Sequence, residues 1–358
     1  MKDYSHPPLQ LSIVDMAFGG KGVARHEGKV YFVPFTIPGE VVTVQVVRQK
    51  KNFAEAQLIS VDIPSPDRVE PRCSYFGACG GCKYQHISDA RQLEIKAAQV
   101  EQTLRRVGRM EQVPMQPIVA SPKTYAYRNR IRVHVEGKLA GFYALASHSL
   151  IDVENCPIAR PEVNESLRRL RSAALHDGDY SLRAPGGGGP FFEQTNELVA
   201  REMVALAERL VRRGQTLLVD AFCGSGLFAK HLLPLFEKVV GIEENAHAIE
   251  SARRQASTKE HYICGDVAAN LGEVLAGHEA ASTTIILDPP ALGVSPQIIE
   301  LIVAARPSEL LYVSCDPATL ARDLAALTGA YRLDSVTPLD MFPQTAEIEV
   351  VAHLSLRD

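Results

Sequence analysis

Four acidic residues punctuate the C-terminal half of this chain at nearly constant spacing. Asp220, Glu243, Asp266 and Asp288 lie 23, 23 and 22 residues apart. Each stands at the end of a short apolar run or just beyond it: Leu217–Val219, Val239–Ile242, Tyr262–Ile263 ahead of Gly265-Asp266, and Ile285–Leu287. A fifth run, Leu310–Val313, leads into Ser314-Cys315. That interval is the length of a strand plus a crossover helix. From about residue 191 onward the chain is therefore expected to form an α/β domain with a parallel-rich, Rossmann-like sheet. Ligands of such sheets bind beyond the carboxyl ends of the strands, where these polar residues sit.

The first half has a different rhythm. Leu9–Val14, Gly22–Arg25, Lys29–Val33, Glu40–Val47 and Ala54–Val61 read as short strands, separated by turns at Gly19-Gly20, Glu27-Gly28 and Pro38-Gly39. Five such strands fit a Greek-key barrel of the OB type. Its loops carry Lys21, Arg25, Arg48, Lys50 and Lys51, which suits contacts to a nucleic-acid backbone. Pro64-Ser65-Pro66 reads as a linker. Ser88–Gly108 follows as one amphipathic helix with Leu93, Ala97, Val100, Leu104 and Val107 on one face and Ser88 as N-cap. Residues 123–155 return to strand patterning, and Tyr127–Val133 is expected to place Arg128, Arg130 and Arg132 on one face of a strand. Gly186–Gly189, between two prolines, marks a boundary. The expected domains are residues 1–63, the barrel; 64–189, a central β-rich domain; and 190–358, the α/β domain, on which the helix at 88–108 can pack.

Charge divides along the same line. Residues 1–135 carry a net +7 and the remainder a net −11, so the N-terminal part is the one suited to a polyanion. No run approaches the roughly 18 apolar residues of a membrane span. The N-terminus lacks a basic segment followed by an apolar one, so no secretory signal is expected. Seven cysteines without such a signal point to a reducing, cytoplasmic setting. Nothing in the chain calls for an obligate protein partner.

Cys73, Cys79 and Cys82 crowd into ten residues around a Gly-Gly pair. They are poorly placed to bridge one another and well placed to converge on a metal, with Cys156 the nearest remaining fourth ligand. Zinc and an iron–sulfur cluster both accept four thiolates, and spacing does not choose between them. The spacing disfavours a radical S-adenosylmethionine site.

In the α/β part, Asp220-Ala221-Phe222-Cys223-Gly224-Ser225-Gly226 follows a strand and opens a helix. Gly224 and Gly226 allow a ligand close to the backbone, and Glu243 fits an acid that holds a ribose diol. Asp288-Pro289-Pro290 argues against a dehydrogenase and for methyl transfer to a base. Cys315 stands at a strand end before a helix beginning near Asp316-Pro317, where the helix dipole would stabilise a thiolate nucleophile. Cys223 and Cys264 are expected to be small buried hydrophobes.

Together these residues resemble the uracil-5-methyltransferases of structured RNA, over almost the whole chain. Gly22-Val23-Ala24-Arg25, Phe32-Val33-Pro34 and Pro38-Gly39-Glu40 resemble a TRAM domain. Gly141-Phe142-Tyr143, Ser147-His148 and Cys156-Pro157-Ile158 resemble the central domain, and Phe192-x-Gln194-x-Asn196 the start of the catalytic one. Ser314-Cys315-Asp316-Pro317 matches the nucleophile motif, and Phe342-Pro343-x-Thr345-x-x-x-Glu349-x-Val351 the segment of the catalytic base. The resemblance implies a [4Fe–4S] cluster on Cys73, Cys79, Cys82 and Cys156, and S-adenosylmethionine bound by Gln194, Phe222, Gly224, Gly226, Glu243, Asp266 and Asp288. It implies Cys315 as nucleophile, Glu349 as base, and RNA contacts from Lys21, Arg25, Lys50, Lys51, Arg128, Arg130 and Arg132. The RNA implied is 23S rRNA, with the T-loop of tRNA as the alternative. Departures are Ala291 where the family has Arg, Leu227 for a frequent Asn, and Gln344 and Glu347 for histidines. The Ala291 and Leu227 departures keep open a second reading, a catalytically weak RNA-binding or chaperone protein on the same fold.

Overall fold

The computed structural model describes residues 7–145, 147–173, 176–185, 194–254 and 256–357. The chain divides into two compact units. One holds residues 7–99, 123–185 and 342–347; the other holds 100–122, 194–341 and 348–357.

The first unit opens with a closed barrel, as the turn spacing predicts. Strands β1 (Leu9–Ala17), β2 (Lys21–His26), β3 (Lys29–Pro34), β4 (Val41–Gln49) and β5 (Phe53–Ile63) pair in the order β1-β2-β3-β5-β4. Closure rests on a parallel β3–β5 pairing, which alternation alone cannot reveal. Leu11, Ile13, Ala24, Val33, Val42, Val44 and Ala54 fill the interior. Lys21, Arg25, Lys50 and Lys51 are exposed. Later in the same unit, β6 (Arg130–Glu136), β7 (Leu139–Tyr143), β8 (Leu150–Asp152) and β9 (Gly178–Arg183) form an antiparallel sheet in the order β8-β7-β6-β9. Helix α2 (Pro161–Ser172) contacts β9. The glycine run at 186–189 and Phe192 lie outside the described residues.

Two expectations need correction here. Arg128 does not share a strand face with Arg130 and Arg132: β6 begins at Arg130, and Arg128 only bridges to Ala159. Helix α1 (Asp89–Arg106) is present with Ser88 Oγ accepting from Arg91 N, but its buried stripe is not the expected one. Val100 and Leu104 are buried, Leu93 and Ala97 only half-buried, and Val107 exposed. Gln92, Lys96 and Gln99 are buried instead, because each finds hydrogen-bond partners that offset its desolvation. The strap 342–347 supplies several of them. Gln92 Nε2 donates to Gln344 Oε1, Gln344 N donates to Gln92 Oε1, and Lys96 Nζ donates to the Phe342 carbonyl. Lys83 N and Tyr84 N both donate to the Gln344 carbonyl, and Tyr127 Oη donates to that of Pro343. Gln344 is held at φ +69°, a conformation uncommon outside glycine.

The second unit is a seven-stranded sheet in the order β12-β11-β10-β13-β14-β16-β15. Its strands are β10 (Leu217–Ala221), β11 (Lys238–Glu243), β12 (Glu260–Cys264), β13 (Thr283–Leu287), β14 (Glu309–Ser314), β15 (Tyr331–Leu339) and β16 (Glu349–Leu356). The first five run parallel, and β16 and β15 add antiparallel. β10 and β13 are buried at every position, as expected of strands covered on both faces. Five helices start at side-chain N-caps: α3 (Glu197–Leu210) at Asn196, α5 (Ala246–Arg253) at Asn245, α6 (Val267–Ala276) at Asp266, α7 (Pro296–Ala305) at Ser295 and α8 (Pro317–Leu327) at Asp316. The short α4 (Leu227–Leu232) starts instead at Gly226. β10 and β13 are adjacent, yet the chain goes from β10 to β11 on the other side. The strand order reverses there, the position at which open α/β sheets form a ligand crevice at the carboxyl ends of the strands.

Candidate active site

Register places the reactive groups. In the antiparallel β14–β16 pair, Ser314 lies opposite Val350, so the next residue, Cys315, comes level with Glu349. In the parallel β13–β14 pair Leu287 lies opposite Tyr312, and Asp288 follows at the same sheet edge. Asp288 N donates to the Ala221 carbonyl at 3.3 Å, which joins this edge to the end of β10. The sheet thus brings together Cys315, Glu349 and Asp288, three residues separated by up to 61 positions in the chain.

The group is electrostatically tense. Burial pushes the Cys315 thiol up to about 11, and Glu349 and then Asp288 and Asp316 add to the rise. Burial also holds Glu349 well above the usual carboxylate range, with Asp288 beside it. Asp288 is raised for the same reason, with Glu243 as the neighbouring charge. The expectation of a dipole-stabilised thiolate is not met in this environment. Cys315 precedes the helix by two residues, and Asp316 caps it: the Asp316 carboxylate accepts from Ala318 N at 2.7 Å and Thr319 N at 3.0 Å. The amides that would have faced the sulfur are taken, and the cap itself is an anion.

The neighbouring crevice has the same sign. Asp220, wholly buried, accepts from Ala229 N with one carboxyl oxygen, and its other oxygen has no partner. Burial raises it to about 8, with Asp288 and Glu243 contributing. Asp220 is not among the expected site residues, although its place at a strand end ahead of a glycine turn is the signal that could have found it. Glu243 accepts from Gly224 N at 3.1 Å and Asn245 N at 2.8 Å, which orients its carboxylate at the end of β11. Gly226 has φ +88°, and a Cβ there would lie 2.9 Å from the Tyr262 hydroxyl, so the turn needs glycine. Phe222 holds φ +65° without being glycine, a strain of the kind concentrated at ligand sites. Asp266 is exposed and caps α6 through Ala269 N. Gln194 is half-buried just ahead of Asn196, which donates to Ser121 Oγ and the Met341 carbonyl. Cys223 is buried as expected; Cys264 is exposed, not buried, because it sits on the edge strand β12.

In the first unit, Cys73, Cys79, Cys82 and Cys156 line one cavity of about 220 Å³. Local structure fixes each. Gly80 N donates to the Tyr143 carbonyl, tying the cysteine loop to the end of β7. Asn164 on α2 accepts from Cys156 N at 2.8 Å and donates to its carbonyl at 3.0 Å. Gln85 is buried in the same cavity wall; its Oε1 accepts from Cys73 N while its Nε2 has no nitrogen or oxygen partner. Arg128 also lines the cavity, packs over the Phe342 ring and reaches Glu347 at 3.8 Å. Burial raises Cys82 to about 12, and the Gln85 amide and Arg128 partly offset this. Among the described residues, no three His, Cys, Asp or Glu side chains stand in the geometry of a single metal ion.

Comparisons with known proteins agree with this arrangement. The tRNA (uracil-5-)-methyltransferase family matches residues 273–357, and the TRAM domain matches residues 10–59. An RNA methyltransferase of Bdellovibrio bacteriovorus is 32% identical, over 97% of this chain and 94% of its own. Another, from Aquifex aeolicus, is 28% identical over the full length of both. The solved tRNA (uracil-54, C5)-methyltransferase of Pyrococcus abyssi, in complex with S-adenosyl-L-homocysteine, shares the fold at TM-score 0.72 and 24% identity, covering 96% of this chain and 99% of that one. This chain belongs to the RNA methyltransferase family and carries a tRNA (uracil-5-)-methyltransferase family domain and a TRAM domain.

Proposed function

We propose that the protein methylates carbon 5 of a uridine in structured RNA, with S-adenosylmethionine as donor. The observation that carries this reading is the register that sets Cys315 level with Glu349 beside Asp288. Carbon 5 of uracil is too weak a nucleophile to take a methyl group unaided. The Cys315 thiol loses its proton to solvent and adds at carbon 6 as the thiolate, and the ring becomes an enolate rich in electrons at carbon 5. Carbon 5 attacks the methyl group, and S-adenosylhomocysteine leaves as a neutral thioether. Glu349 takes the proton from carbon 5, the sulfur–carbon 6 bond breaks, and the 5,6 double bond returns.

The crevice charge supports a cationic donor. Asp220, Asp288 and Glu349 are all raised by burial together with neighbouring carboxylates, so a positive ligand is what the site lacks. A sulfonium meets that need, and its loss on methyl transfer favours product release. Glu243 would hold the ribose; Gln194, Phe222, Gly224, Gly226 and Asp266 would line the rest of the donor site. Lys21, Arg25, Lys50, Lys51, Arg130 and Arg132 would meet RNA phosphates; Arg128 is better suited to the cysteine cavity that it lines.

Cys73, Cys79, Cys82 and Cys156 would hold a [4Fe–4S] cluster. The fit rests on four thiols around one cavity, a buried Gln85 amide that faces Cys82 with no nitrogen or oxygen partner, and backbone amides of Gly81, Ile158 and Ala159 directed at sulfur. With four ligands the cluster leaves no open iron, so its work is to tie the loop at 73–82 to Cys156.

23S rRNA is the first candidate substrate. The T-loop of tRNA is the second, favoured by the family description and by the name of the Pyrococcus abyssi enzyme. The test is to map 5-methyluridine in rRNA and tRNA of a strain lacking the protein, then restore it with wild type or Cys315→Ala. One uridine should regain its methyl group with wild type only. Restoration by Cys315→Ala would refute the nucleophile, and no change in either RNA would refute the enzymatic reading.

A further inference from the structure

The turn after Asp288-Pro289-Pro290 is held more firmly than a surface turn requires. Gly293 N donates to the Pro290 carbonyl at 2.8 Å, closing the turn. Helix α8 then clamps it from one side. Thr319 Oγ1 donates to the Ala291 carbonyl at 3.0 Å, and Arg322 Nη2 donates to the Leu292 carbonyl at 2.9 Å. Val294 N donates to Asp323 Oδ2 at 3.0 Å. Asp323 is buried and fixed in turn by the Tyr312 hydroxyl at 2.7 Å. Gly293 sits at φ +73°, and a Cβ there would lie 2.4 Å from Asp323 Oδ2 and 2.6 Å from Arg322 Nη2. The clamp therefore admits only glycine.

What this rigid turn presents is one apolar side chain. Leu292 is 81% exposed; the next most exposed large hydrophobic among the described residues is Val14 at 59%. A solitary exposed leucine is ordinary on a mobile loop. Here the backbone is fixed on its near side by Thr319 and the exposed Arg322 and on its far side by the buried Asp323, so the exposure is imposed by structure. Both arms of the clamp also begin at the candidate site: the turn starts two residues after Asp288, and α8 starts two residues after Cys315. An enzyme acting on carbon 5 and carbon 6 of a base must take that base out of its stack, and the gap left behind costs stacking energy. Proteins that distort nucleic acids fill such gaps with apolar wedges.

We propose, building on the RNA methyltransferase reading above, that Leu292 is an apolar wedge that fills the stack vacated by the target uridine. Ala291, where the family carries arginine, adds no charge of its own to the turn; Arg322 is bound back onto the Leu292 carbonyl, and the leucine side chain itself stays exposed and able to enter between bases. Leu292 is a positioning residue: it touches neighbouring bases and does not touch the reacting atoms.

Two probes test this: transcribed full-length RNA containing the mapped uridine, and a short unstructured oligonucleotide with the same uridine. Leu292→Ala should lower kcat/KM on the folded RNA roughly tenfold or more, and most of that deficit should close on the unstructured oligonucleotide, whose base needs no unstacking. Leu292→Met should restore activity on the folded RNA. The thermal midpoint should not move, since the side chain is exposed. A 2-aminopurine placed next to the target should brighten on binding wild type and stay quenched with Leu292→Ala. An equal loss on both probes, or no loss on folded RNA, overturns the wedge. If wild type methylates neither probe, the enzymatic reading itself falls.

Discussion

Asp220 is a single side chain whose burial works against the fold. It is fully buried, with one carboxyl oxygen unpartnered, and it titrates near 8 in the folded chain against roughly 3.9 when unfolded. Between those values the folded state binds the extra proton, so stability falls as pH rises from about 4 to about 8. Asp220→Asn keeps the bond to Ala229 N and removes the charge. It should raise the thermal midpoint at pH 8 by several degrees, and little at pH 4, while weakening S-adenosylmethionine binding more than S-adenosylhomocysteine binding. A midpoint gain that does not change with pH would contradict the buried-charge account. Residues of this kind were only half legible in the sequence. Cys315 and Glu349 stood out by motif, because their neighbours in the chain are themselves distinctive. Asp220 did not, since its lack of a partner depends on what surrounds the end of β10.

Helix α8 shows the same division among elements. The strand–helix alternation and the Asp-Pro start were readable, so the helix was expected within two residues of where it begins. Its electrical effect on Cys315 was not. A cap side chain competes for the same amides, and the Asp316 carboxylate wins them. Asp316→Ala should cost roughly 1 kcal/mol of stability through the lost cap. It should also shift the Cys315 alkylation profile to lower pH, because an anion leaves and helix amides are freed. Peptide-resolved iodoacetamide labelling reads that shift; a shift to higher pH would contradict the capping account. Helix α1 was misread for a related reason. Its apolar period was visible, but Gln92, Lys96 and Gln99 are buried through partners on distant segments, which no local pattern encodes.

For the molecule as a whole, the charge division seen in the sequence acquires a chemical meaning. The net +7 of residues 1–135 suits a polyanion, while the net −11 of the rest includes the acidic crevice suited to a cationic donor. No helix among the described residues is long and apolar enough to cross a membrane. The five barrel strands and the parallel-rich sheet were legible, because each repeats a local rule several times over; the parallel β3–β5 pairing that closes the barrel was not. The strap 342–347 was not, since it leaves the sheet after β15, packs within the first unit and rejoins at Glu349. Its anchoring appears only once the fold is assembled. The central claim is that Cys315 bonds to the uracil and Glu349 releases it. Glu349→Gln, incubated with the mapped RNA and S-adenosylmethionine, should accumulate a methylated nucleotide on the Cys315 peptide in the mass spectrum after nuclease and protease digestion. Free methylated RNA at the wild-type rate with an unmodified Cys315 peptide would contradict it.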